Sequence, residues 1–173
     1  MVATREDLEM TFTAEAAKRG STVLRSDLAH LPSLIAGQAS ARYGVTSSLA
    51  TLVPSLQRAS EPDGSWPATV IVRGRLGVAA TGSVAVTEPD RQDRSMIFLA
   101  RRIIFLLPTG SIVAGLPDAT VFLRRALGAG MRYVTFISGP SRTSDIEQIA
   151  IVGAHGPGES IVVWIPDWHP ADD

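Results

Sequence analysis

The sequence predicts an α/β fold, read as a single domain over residues 1–173 with a mostly parallel sheet flanked by helices. Short, apolar, β-branched runs alternate with stretches of helical spacing along the chain. From Ile103 to Ile137 the order reads strand, helix, strand, and a βαβ unit of that kind joins parallel strands. The 173 residues suit one domain of ordinary size, and 45% apolar with 19% charged residues is a globular composition.

The elements follow in order. Thr4 and Asp7 form a variant capping box, Leu8, Phe12 and Ala16 share one helical face, and Gly20 supplies the stop. "STVL" is a short strand. Ser26 or Asp27 can cap a second helix, or Pro32 can sit in its first turn, and Gly44 is expected to close it. Residues 46–48 are ambiguous, and "SEPDGSWP" is a loop by its turn residues. "ATVIVRG" reads as a strand. "GVAATGSVAVTE" reads as a second, broken at Thr81-Gly82-Ser83, and "RRIIFLLP" as a third. Leu116 to Leu127 returns to helical spacing, with Ala119, Phe122, Leu123, Ala126 and Leu127 on one face. "RYVTFI" is then a buried strand, "ESIVVWIP" is the last, and residues 166–173 read as a solvated tail.

Composition excludes several classes of function. A formal net charge of −1 leaves no basic footprint for nucleic acid. With no cysteine, the chain offers no thiolate nucleophile and no thiolate ligand for zinc or an iron–sulfur cluster. Of sixteen basic residues only Lys18 is lysine, which argues against Schiff-base chemistry. The N-terminal stretch lacks the apolar core of a signal peptide, and no apolar run reaches the roughly 18 residues of a membrane helix. A cytoplasmic protein without a membrane span, without a metal and without a cofactor of its own is the expectation.

The stretch "FISGPSRTSDIE", Phe136 to Glu147, carries the densest chemistry. Gly139 permits a tight turn and Pro140 stiffens it. Ser144 with Glu147 matches a capping box, with Asp145 in the first turn, so these three can simply start a helix. That leaves Ser138, Ser141, Arg142 and Thr143 at what is expected to be the end of a parallel sheet's strand, where open α/β sheets bind ligands. Backbone N–H groups at a helix start favour anions, and Arg142 can clamp a carboxylate or phosphate. An anionic small molecule is therefore a candidate ligand. Gly82, flanked by Thr81 and Ser83, reads equally as a core kink or as a close approach to a ligand. His155, before Gly156 and Pro157, has no histidine at metal-ligand spacing. Of the arginine pairs at 73/75, 101/102 and 124/125, the first stands out, because period-two spacing puts both residues on one side of a strand.

"VAATGSVAV", "ISGPSRTSDIE" and "IVGAHGP", in that order and spacing, resemble the lactate-utilisation (LUD) domain family over about residues 70–165. The resemblance implies a fold like that of CoA transferases, ribose-5-phosphate isomerase and glucosamine-6-phosphate deaminase. It implies a part in oxidising L-lactate to pyruvate beside an iron–sulfur protein and a cysteine-rich protein. The family's shared surface maps to Thr81, Gly82, Ser83, Ser138, Gly139, Pro140, Ser141, Asp145, Glu147, His155 and Gly156, and Arg142 lies among them. Where members commonly have Glu before the Thr-Gly, this chain has Ala80. Three readings compete: an accessory component of a lactate-oxidising system, a stand-alone binder or enzyme for an anionic, sugar-phosphate or CoA-like molecule, and a degenerate family member that keeps the fold without chemistry.

Overall fold

The computed structural model describes residues 3–39, 43–56, 67–144, 150–153 and 156–168. Its centre is a five-stranded sheet in which every pairing is parallel. The strands are β1 (Ser21–Arg25), β2 (Gly44–Val45), β3 (Thr69–Arg73), β6 (Arg102–Pro108) and β11 (Glu159–Ile165), in the spatial order β1-β11-β6-β3-β2. The remaining strands are β4 (Leu76–Val78), β5 (Ser83–Val86), β7 (Ile112–Val113) and β8 (Thr135–Ile137), which form a second sheet in the order β7-β4-β5-β8. β9 (Arg142–Ser144) and β10 (Ala150–Val152) pair with each other, antiparallel.

Alternation along the central strands decides which helix lies where. Ile103, Phe105 and Leu107 of β6 point to one core cluster, and Ile104 and Leu106 point to another. On β11, Val162 and Trp164 face the first and Ile161, Val163 and Ile165 face the second. Both faces are apolar, so both need a cover. The second face is covered by α2 (Leu31–Gln38) and α3 (Ser47–Leu52) through Leu31, Ile35 and Leu49. The first is covered by α1 (Arg5–Lys18), α4 (Arg91–Leu99) and the inner side of the second sheet, through Phe12, Ala16, Met96, Ile97, Val84 and Val86. α5 (Leu116–Gly128) closes the outer side of the second sheet, where Ala119 packs with Leu76, Val78 and Ala85.

The capping box at Thr4 and Asp7, the face of Phe12 and Ala16, and the stop at Gly20 are as expected. Several expectations are corrected. β6 and β8 lie in different sheets, so Ile103 to Ile137 is not a βαβ unit, and α5 covers the second sheet rather than crossing between parallel neighbours. An apolar run shows that a strand is buried but not which sheet buries it. The parallel neighbours β3 and β6 are joined through the β4–β5 hairpin and α4, a helix not anticipated. Asp90 caps α4 by accepting the Asp93 N–H, and only Ala100 and Arg101 separate it from β6, so "SMIFLARRIIFLLP" reads as one run. Gly44 does not close α2, which ends at Gln38. It sits in β2, where an added Cβ would meet the side chains of Met96 and Pro67. β8 is a half-buried edge strand of three residues. Leu127 is 60% exposed rather than on the packed face, and Trp168 of the supposed tail is buried in the second cluster.

Phe12 is fully buried and meets the Trp164 ring edge-on, 5.1 Å between centroids. Truncation there removes the contact that seats α1 on the central sheet. Phe12→Ala is expected to lower the free energy of unfolding by about 3–5 kcal/mol, read from urea denaturation.

Candidate functional site

Two turns at one end of the second sheet meet at the C-terminal end of α1. The first is the single 3₁₀ turn Ala79–Thr81 linking β4 to β5, and Gly82 ends it in the left-handed region at φ +54°. The second follows β8 at Ser138-Gly139-Pro140, with Gly139 at φ +72°. Val84 pairs with Ile137, so the register brings the two turns side by side. The Ser138 hydroxyl donates to the Thr81 carbonyl at 2.8 Å, and the Ser83 hydroxyl donates to Thr81 Oγ1 at 2.8 Å. A Cβ on Gly82 would collide with the backbone of Ala16, and one on Gly139 with the carbonyl of Arg19. The same Arg19 carbonyl accepts from Arg142 Nη2 at 3.1 Å, so Arg142 caps the open end of α1.

Ser138, Gly139, Pro140, Ser141, Arg142 and Gly156 line one cavity of about 410 Å³, floored by Ile97, Phe98 and Ile103. The Ser141 N–H donates to the Pro157 carbonyl, and the Ser141 carbonyl accepts from Gly153, so both neighbouring loops are tied to this residue. A Cβ on Gly156 would press on Ser141 at 3.1 Å. Six of the expected residues thus surround one hollow. Thr81, Gly82 and Ser83 stand behind it, joined through Ser138, and do not line it. Ser144 does not start a helix, because it pairs with Ala150 across the β9–β10 ladder. Asp145, Glu147 and His155 lie outside the described residues. Ala80 is exposed and its N–H donates to the Ala114 carbonyl, so the side chain offered there is a methyl group.

Two features were not in the expected site. A cavity of about 530 Å³ opens where β3 and β6 end, lined by Arg73, Arg75 and Arg125 with Ser111, Phe122 and Trp168. Elsewhere Glu88 and Asp93, both about 1% exposed, meet the start of α3. The Ser48 hydroxyl donates to both Glu88 carboxylate oxygens, at 2.9 and 3.0 Å, and the Ser47 N–H donates to Asp93 Oδ2 at 2.7 Å. Burial raises the Glu88 pKa and nearby Asp93 adds to this, against the Ser48 and Thr46 hydroxyls and the charge of Arg75. Glu88 was visible only as the first acid after β5; nothing local in the sequence reveals that it is buried.

Gly82→Ala combines a left-handed residue with a collision against helix backbone that cannot move aside. It is expected to cost about 2–4 kcal/mol of stability in urea denaturation. For Glu88 the folded state holds the proton more tightly than the unfolded chain. Its contribution is therefore complete below the ordinary carboxylate value of 4.5 and is lost as pH rises from there through the raised folded value. Melting temperatures of Glu88→Gln and of the unmodified protein, compared from pH 4 to 8, are expected to shift in favour of the variant as pH rises.

Residues 67–165, which contain both turns and the Ser138 cavity, match the LUD domain model. The chain is 33% identical over 94 residues to lactate utilization protein C of Shouchella clausii, covering 53% of this chain and 41% of that one. It is 28% identical over 100 residues to lactate utilization protein C of Bacillus subtilis, covering 56% and 42%. It thus spans about two-fifths of the length of these relatives. A crystal structure of a DUF162 family protein from Deinococcus radiodurans superposes with a TM-score of 0.71 at 15% identity, over 95% of this chain and 99% of that one, which establishes the shared fold. With the family model covering more than half of its residues, the chain belongs to the LUD domain family.

Proposed function

We propose that this protein is an accessory component of a system that oxidises L-lactate to pyruvate. The observation that carries the reading is the LUD match across residues 67–165, together with relatives named lactate utilization protein C. The hollow at the Ser138–Arg142 turn has an apolar floor, and Ser141 and Arg142 bring to its lining a hydroxyl and a guanidinium of the kind that recognise a small carboxylate. Oxidation of lactate releases two electrons, and a chain without cysteine has no thiolates to hold an iron–sulfur relay. Partner proteins bearing iron–sulfur clusters and cysteines would receive them. The arginine-lined cavity favours a second reading, a stand-alone binder or enzyme for an anionic small molecule on a CoA-transferase-like scaffold.

Deleting the gene in its native host is expected to abolish growth on L-lactate and leave growth on glucose unchanged. A plasmid copy should restore it. The purified chain alone is expected to show no L-lactate-dependent reduction of an artificial electron acceptor; turnover there would replace the accessory role with a catalytic one.

A further inference from the structure

We propose that the open edge of β1 is a contact between two copies of this chain, which pair β1 with β1 antiparallel about a two-fold axis at Val23 and so join two five-stranded sheets into one. This is independent of the lactate reading. The central sheet ends at β1 on one side and at β2 on the other. An edge strand presents a row of unpaired backbone N–H and C=O groups, and proteins blunt such edges by shortness, by charge or by a cover. β2 is blunted by length, since it has two residues and both are buried. β1 has five, with Thr22 and Arg25 exposed and Val23 and Leu24 half-buried. Its one charged residue, Arg25, is held by Glu9 of α1 at 2.5 Å. No described strand pairs with β1 on its outer side.

Beside this edge runs a groove of about 590 Å³ between α1 and β1. Met10, Ala14 and Ala17 of α1, with Val23 and Leu24 of β1, give it an apolar wall, and Met10 is 67% exposed. The charges along it select the occupant. β1 returns alongside α1, so that Arg25 meets Glu9. At that end Glu6 and Glu9 outnumber Arg25. At the other end, before Ser21, Lys18 and Arg19 outnumber Glu15, with which both pair. One end of the edge is thus net acidic and the other net basic. A two-fold axis sets the acidic end of each copy against the basic end of the other, so the surface is complementary to itself. Centred on Val23, the pairing engages the whole strand: Val23 meets its own counterpart, Thr22 meets Leu24, and Ser21 meets Arg25. Val23 packs on the α1 side of the sheet, and Ala14, between Glu9 and Ala17 along the groove, comes about level with the axis.

The test is sedimentation-velocity centrifugation of the full chain across the micromolar range. A monomer–dimer equilibrium is expected, weakened by added salt because part of the attraction is between exposed charges. Ala14→Glu sets like charges against each other near the axis and is expected to weaken the dimer at least about tenfold. Thr11→Glu, exposed on α1 but outside the groove, is expected to leave it unchanged. Both positions are exposed and glutamate is a good helix former, so folding survives; circular dichroism checks this. The chain has no cysteine, so an introduced one reports the register directly. Val23→Cys is expected to close an intermolecular disulfide under mild oxidation, because directly opposed residues have Cα atoms about 4.5–5.5 Å apart. Thr22→Cys is more exposed but sits two residues out of register with its counterpart, beyond the roughly 7 Å a disulfide spans, and is expected not to crosslink. A monomer at every concentration, equal weakening by the two α1 variants, or crosslinking at 22 as fast as at 23 would each overturn the assignment.

Discussion

A parallel sheet with apolar residues on both faces cannot leave either face wet. Nearly everything else in this molecule follows from that demand. Residues 103–107 and 161–165 are all almost completely buried, with alternate side chains feeding opposite clusters. One face takes two short helices; the other takes two helices and a whole second sheet. Covering the faces leaves the strand ends as the place for loops of mixed chemistry, and the arginine cavity lies at such an end.

The second sheet is held by different means. Its strands are short and its hairpin reverses through a left-handed glycine. Its position is set by close backbone approach, Gly82 on Ala16 and Gly139 on Arg19, and by the hydroxyl of Ser138 on Thr81. Such contacts define position sharply because backbone atoms cannot rotate away. The hollow beneath Ser141 therefore sits on a rigid frame built from three separate parts of the chain.

Much of this was legible in the amino-acid order. The capping box, the face of Phe12 and Ala16, the strands at "TVIVR" and "RIIFLLP" and the break at Thr81-Gly82-Ser83 are local signals, each written within a few residues. What failed was non-local. No local pattern distinguishes a strand of the central sheet from one of the second, so β6 and β8 were wrongly joined. α4 was hidden because its apolar residues run without a turn signal into β6. The Ser138–Arg142 turn and Gly156, grouped by the motif as a whole, line one cavity. The convergence of Arg73 and Arg75 with Arg125 needed the fold, since more than forty residues separate them in sequence.

The glycine contacts have a consequence for how such a chain can diverge. Gly82 and Gly139 lie inside the family segment, but what they touch, the Ala16 backbone and the Arg19 carbonyl, lies before it. A demand made on main-chain atoms constrains the path of the preceding helix and says almost nothing about its side chains. Such a helix is free to change its letters while keeping its course. The family match covers residues 67–165, while the structural likeness extends over 95% of the chain at 15% identity.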